Sequence, residues 1–337
     1  MQRWYSRNFI LSAAVLALVM AFASASAFAQ YNVTVLDSNV TGHGHVDPLL
    51  MNGWGLSYGP TTAFWLSDEG SGWSTLYDGS GNPQSLQVIV PGANGGQGSP
   101  TGIVYNSSRN FKIDTWASEF MFCTLDGTIQ GWSTFSPSAS LIAVTNPKAV
   151  YTGLAINAAN TMIYAADTLN NKVDMYNGTF QLVGSFTDTG LPQGAVPFGI
   201  QDIGGQLYVT FVAANGGPSG AVDIFTEAGV FVKRLITGAP LNQPWGVAMA
   251  PSNFGALSNT LLVSNNTDTG TINGFNPSTG KLVGTVTGAN GKSIKIPQLW
   301  GILFGGGTAA NGQTNQLFWT AGPENGLEGG FGYISPK

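Results

Sequence analysis

Charge is what this sequence has least of. Of its 337 residues only 12 are Lys or Arg and 17 are Asp or Glu, so 9% of the chain is charged, against about 25% in an ordinary globular protein. So sparse a charge excludes intrinsic disorder and coiled coils, which need far more Glu and Lys. A net charge of −5 argues against nucleic acid as a partner, because too few cations are available to neutralise a run of phosphates. Cys123 is the single cysteine, which excludes an intramolecular disulfide and leaves burial to hold the fold together. It stands in the apolar run 120–123 and reads as an inert core thiol. Histidine is confined to His43 and His45, and arginine beyond residue 7 to Arg109 and Arg234.

Long apolar runs are also missing, apart from the first thirty residues. There Arg3 and Arg7 precede an apolar run of 14 residues, 9–22, followed by small residues with Ala27 and Ala29 flanking Phe28. Basic, apolar and small regions in that order make a secretory signal peptide, residues 1–29, cut after Ala29. The run is shorter than the ~20 residues of a spanning helix. The expectation is an exported chain, periplasmic or extracellular, with one domain over residues 30–337 and no membrane span.

What the sequence has in abundance is glycine, 47 residues, together with 19 Phe, 10 Tyr and 9 Trp. The glycines are not scattered. An aromatic residue or Thr, then Gly, then an aliphatic residue recurs at Trp54-Gly55-Leu56, Thr101-Gly102-Ile103, Thr152-Gly153-Leu154, Phe198-Gly199-Ile200, Trp245-Gly246-Val247 and Trp300-Gly301-Ile302, with glycine spacings of 47, 51, 46, 47 and 55. Each Gly is followed by a second apolar run, at 64–67, 120–123, 163–166, 207–211, 261–264 and 317–320. Third elements come at 74–77, 128–132, 172–176, 221–225, 271–275 and 330–334, and fourth ones at 180–186, 230–235 and 281–286 after turns such as Asn177-Gly178.

Four short antiparallel strands in a unit repeated six times describe an all-β, six-bladed β-propeller. Each repeated Gly falls on the innermost strand, where a Cβ would obstruct the approach of the neighbouring blade. The sixth repeat stops after its third strand. The segment 31–36 is therefore expected to close the ring as that blade's outer strand, antiparallel to 330–334.

The segments Asp47-Pro48-Leu49, Asn52-Gly53-Trp54-Gly55-Leu56, Ser99-Pro100-Thr101-Gly102, Pro197-Phe198-Gly199-Ile200, Pro244-Trp245-Gly246 and Thr320-Ala321-Gly322-Pro323 resemble an uncharacterised family of secreted, mostly bacterial proteins over nearly the whole mature chain. The repeat is similar to NHL repeats, with Tyr164-Ala165-Ala166-Asp167 the nearest copy. The resemblance implies fold and export and carries no catalytic residue.

In such a propeller the starts of the inner strands and the loops after the second strands share one face around the channel mouth, where sites are built from loops on a rigid scaffold. Asn52, Trp54, Trp245 and Trp300 are expected to converge there with Asp68, Glu69, Asp167, Asn265, Asn266 and Glu324. The competing reading makes the carboxylates and amides turn caps and the tryptophans packing groups. The leading expectation is a binding module for an extracellular glycan, peptide or protein. The alternative is a calcium-dependent lactonase or esterase of the gluconolactonase type, with Asp68, Asp167 and Asn265 as metal ligands. His43 and His45, with Asp47 two residues on, form a weaker candidate for a transition metal. A sialidase would need three arginines, and no G-x-S-x-G elbow is present. The glycine clusters 95–98 and 305–307 lack the Lys of a phosphate loop.

Overall fold

The computed structural model describes residues 30–191, 194–213 and 219–337; the segment read as a signal peptide lies outside them. Six small antiparallel sheets stand around a central axis as the blades of a propeller. Their inner strands are Gly53–Ser57, Pro100–Tyr105, Tyr151–Ile156, Ala195–Asp202, Pro244–Met249 and Leu299–Phe304, each opening one of the repeats. Apolar clusters fill the gaps between adjacent blades, as where Phe254, Leu262 and Ile272 of blade five meet Trp319, Ala321 and Ile334 of blade six. Each fully buried side chain of this size contributes about 1.5–3 kcal/mol, so the fold needs no cross-link.

The repeated glycines do what their position on the axis demands. A Cβ on Gly55 would stand 2.5 Å from the Thr101 carbonyl oxygen, one on Gly102 2.3 Å from the Leu154 nitrogen, and one on Gly199 2.1 Å from the Trp245 carbonyl oxygen. The series closes on itself, since a Cβ on Gly301 would lie 2.7 Å from the Trp54 carbonyl oxygen. Backbone meets backbone from blade to blade, and only hydrogen fits.

Ring closure follows the expected route. Tyr31–Ser38 runs antiparallel to Gly330–Pro336, with Tyr31 opposite Pro336, Val33 opposite Ile334 and a bulge between Val35 and Asp37. Tyr31 is buried, donates its hydroxyl to the Phe254 carbonyl at 2.8 Å and accepts the Leu257 N–H at 3.1 Å, so the closing strand also clasps blade five.

Two features depart from the repeat. In blade one the third strand is split into Trp73–Ser74 and Leu76–Tyr77, because the Thr75 N–H between them goes to the Asp68 carboxylate at 2.9 Å. Blade two carries an added hairpin, Lys112–Ile113 with Trp116–Ala117, inserted between its inner and second strands.

Candidate functional site

The tryptophans expected at the mouth do converge, and they close it. Trp54 and Trp300 stack with ring centroids 3.6 Å apart, and Trp245 meets both edge-on at 6.3 and 6.0 Å. Phe198 of blade four and Leu125 of blade two complete the cluster. All three indoles are at least 90% buried, so they form a plug across the axis. The channel below it, lined by Gly55, Ile103, Leu154, Ile200, Val247 and Ile302, holds about 40 Å³, room for a few water molecules at the ~10–15 Å³ that each needs.

Hydroxyls on the second strands hold the plug in place. The Gly199, Gly246 and Gly301 N–H groups donate to Thr210, Ser264 and Thr320 of their own blades at 2.9, 2.8 and 3.0 Å. Those hydroxyls donate onward to the carbonyls of Trp245, Trp300 and Trp54 in the next blade, at 3.3, 2.7 and 2.5 Å. Blades four, five and six are thereby locked to five, six and one at the residue that fills the axis. Cys123 takes the corresponding place in blade two, where its sulfur lies 3.2 Å from the Thr101 hydroxyl and burial pushes the thiol up to about 11. That is chemistry for packing, since the reactive form of a thiol is the thiolate.

Asn52 and Glu69 also come together, as a clasp between blades one and six. The Asn52 carboxamide accepts the Trp300 indole N–H at 3.0 Å and donates to the Glu69 carboxylate at 2.7 Å. Trp245 instead reaches across the axis, its N–H donating to the Thr152 carbonyl of blade three at 2.9 Å.

Asp68, Asp167 and Asn265 do not come together. Asp68 is fully buried on its own turn, accepting the Thr75 N–H, and burial drives its carboxyl well above the usual range. Asp167 accepts the N–H groups of Val150 and Asn170 at 3.2 and 3.3 Å and the Asn170 side-chain amide at 2.6 Å. Asn265 accepts the Asn242 N–H at 3.0 Å and donates to the Pro240 carbonyl at 2.8 Å. Calcium takes about six to eight oxygens at one point. These donors are spent on three separate turns, and the described residues contain no group of three or more His, Cys, Asp or Glu able to hold a metal. The residues therefore do not fit a shared calcium ion. His45 sits 3.3 Å from Asp37, whose buried carboxyl is pushed up to about 8 by desolvation first and by Asp47 and Asp78 second. His43 lies elsewhere, beside a separate cavity that it shares with Glu324.

The open space on this face is off the axis. A cleft of about 430 Å³ lies between blades five and six, lined by Asn242, Gln243, Asn266, Thr267, Asp268, Gln298 and Asn325. Its walls include the segments immediately before Trp245 and Trp300. Gln243 and Gln298 hold left-handed backbone, φ 52° and 48°, as does Asn325 at 57°. For residues other than Gly and Asn that conformation costs roughly 1–2 kcal/mol. Backbone bonds keep it in place: the Asn266 N–H donates to the Gln243 carbonyl at 2.9 Å, and the Gly322 N–H to that of Gln298 at 3.0 Å. Gln298 reaches toward Asp268 and Asn325 at 3.4 and 3.3 Å. The carboxamides of Asn242 and Gln243 make no hydrogen bond among the described residues.

Such a cleft offers paired donors and acceptors with one carboxylate, which suits an uncharged, hydrogen-bonding ligand better than acid–base chemistry. Gln243 and Gln298 were not among the residues expected from sequence. The signal was present, since a carboxamide stands two residues before each of Trp54, Trp245 and Trp300.

No family model matches the chain. It is similar to uncharacterised proteins of Acanthamoeba polyphaga mimivirus: one 30% identical over 74% of this chain and 50% of its own length, another 28% identical over 97% and 86%. The chain thus spans only half of the first of these relatives. These relatives are viral, whereas the motifs led to an expectation of bacterial ones. Among solved structures, a catalytically inactive virginiamycin B lyase from Staphylococcus aureus with quinupristin is similar in fold, with TM-score 0.58, 11% identity, and coverage of 91% of this chain and 100% of that one. Hydrazine synthase from Kuenenia stuttgartiensis matches with TM-score 0.50 and 12% identity, over 83% of this chain and 76% of that one. At such identities the likeness is one of fold, and fold alone does not carry function.

Proposed function

We propose that this protein is an exported binding module that holds a neutral glycan in the cleft between blades five and six. The observation that carries the reading is the pair Gln243 and Gln298, two long carboxamides kept in left-handed backbone at the rim of an open cleft. Glycine would occupy those positions without strain, so the strain is retained for what the side chains do. Strained residues cluster where a ligand is held. Carboxamides and one carboxylate match the donor and acceptor pattern of sugar hydroxyls, and neutral sugars ask for no counter-charge from a chain so poor in cations. Export rests on residues 1–29 and is tested by sequencing protein recovered outside the cytoplasm, which should begin at Gln30.

Binding is tested by titrating cellotriose, maltotriose and chitotriose against the protein by saturation-transfer NMR and calorimetry. At least one should bind saturably, and Gln243→Ala with Gln298→Ala should weaken it at least tenfold. Absence of binding by all three, or binding untouched by the double substitution, overturns the reading.

A further inference from the structure

The cleft has a neighbour. Residues 295–297 and 323–324 line a second cavity of about 390 Å³, while the next residues along the chain, Gln298 and Asn325, line the first. The two spaces are lined by consecutive residues of the same two segments and differ in chemistry. The buried part of the second cavity's lining is mainly apolar, with Ile296 and Trp319 continued outward by Val35 and Val33 of the closing strand. The Trp319 ring covers Gly330 and Gly332, where a Cβ would come within 3.3 and 2.6 Å of it. Its indole N–H is buried without a partner, although a buried unpaired donor costs about 1–3 kcal/mol. Val33 remains 40% exposed on this wall.

The rim carries Glu324 and Glu328 against Lys295, with His43 beside them. With His43 neutral the rim is acidic by one charge, and the field of the whole chain, net −5, has the same sign. An apolar floor under an acidic rim selects an apolar group that carries a positive charge. We propose that this cavity is a second binding site, for an aromatic group bearing an alkyl ammonium, as in an arylalkylamine. It does not rest on the glycan reading, because the two sites have no lining residue in common.

The test uses the mature protein with tryptamine and indole-3-acetate as probes, read by calorimetry and saturation-transfer NMR. Tryptamine should bind saturably and at least tenfold more tightly than indole-3-acetate. Val33→Lys, a change at a half-exposed position that fills the cavity and adds a cation, should weaken tryptamine at least tenfold with an unchanged melting temperature. If that variant fails to fold, Glu324→Gln with Glu328→Gln serves, and should weaken tryptamine at least threefold. Gln243→Ala with Gln298→Ala should leave tryptamine untouched, so the two sites fail separately. No saturable tryptamine binding, equal affinity for both probes, or tryptamine affinity unchanged in the Val33 or the Glu324 and Glu328 variants overturns the proposal.

Discussion

The two halves of the ring share a scaffold and differ in what they build on it. Blades five, six and one start their inner strands with Trp-Gly, preceded two residues earlier by Gln243, Gln298 and Asn52 in left-handed backbone. Blades two, three and four start with Thr-Gly, Thr-Gly and Phe-Gly, and Ser99, Val150 and Val196, at the corresponding positions, have no positive φ. Both halves use the same glycine contact from blade to blade. At the starts of the inner strands, only blades five, six and one combine a left-handed carboxamide with an indole of the plug. Symmetry in this molecule is therefore the signature of the scaffold, and the departures from it are where the plug, the Asn52 clasp and the cleft are built.

The largest effect should come from breaking the scaffold common to both halves. Removing residues 30–37 strips the edge of Gly330–Pro336, losing backbone hydrogen bonds worth about 1 kcal/mol each and the burial of Tyr31, about 1.5–3 kcal/mol. Aggregation or loss of a cooperative melt is expected, and a monomer melting at the wild-type temperature would mean that the ring is closed otherwise.

Next in size, Gly199→Ala in one half and Gly301→Ala in the other should each destabilise by about 1–3 kcal/mol, the usual cost of forcing an extra carbon into a packed site. Denaturant midpoints that fall for one and not the other would show the halves to be built differently after all.

Asn52→Ala belongs to the asymmetric half alone. It leaves the buried Trp300 N–H without its acceptor and should cost about 1–3 kcal/mol, with the Trp fluorescence of the plug altered. An unchanged midpoint and spectrum would remove Asn52 from the clasp.

Asp37 carries an effect confined to a pH window. Its folded carboxyl titrates at about 8, above the ~3.9 of an unfolded Asp, so the folded state binds the proton more tightly. That contribution is complete below pH ~4 and is lost as pH rises through 8. Asp37→Asn should flatten the fall in stability between pH 5 and 8.5, measured by urea unfolding. Parallel curves for the two proteins would contradict the assignment.

The scaffold was legible in sequence because it repeats. Six glycines at near-constant spacing mark close backbone contacts from blade to blade, and the missing fourth strand of the last repeat pointed to Tyr31–Ser38. The site was only half legible. Trp54, Trp245 and Trp300 were correctly brought to one place, yet whether indoles line a mouth or fill it depends on distances across the axis that no local pattern encodes. Asp68, Asp167 and Asn265 share a position at the end of the second strand, and position alone does not separate a turn cap from a ligand. The hairpin Lys112–Ile113 with Trp116–Ala117 escaped notice because it is an insertion in one repeat, invisible to an argument from periodicity.

The contrast between the halves is tested most directly by replacing Gln243 and Gln298 together with Gly. Glycine takes the left-handed backbone without strain, so relief of roughly 1 kcal/mol or more is available at each position. Measured on one sample by thermal melting and by titration with the oligosaccharide that binds the wild type, the double variant should melt at or above the wild-type temperature and lose at least tenfold in affinity. A variant that melts lower, or that binds the oligosaccharide as the wild type does, would contradict the claim that these glutamines are held in strain for a ligand.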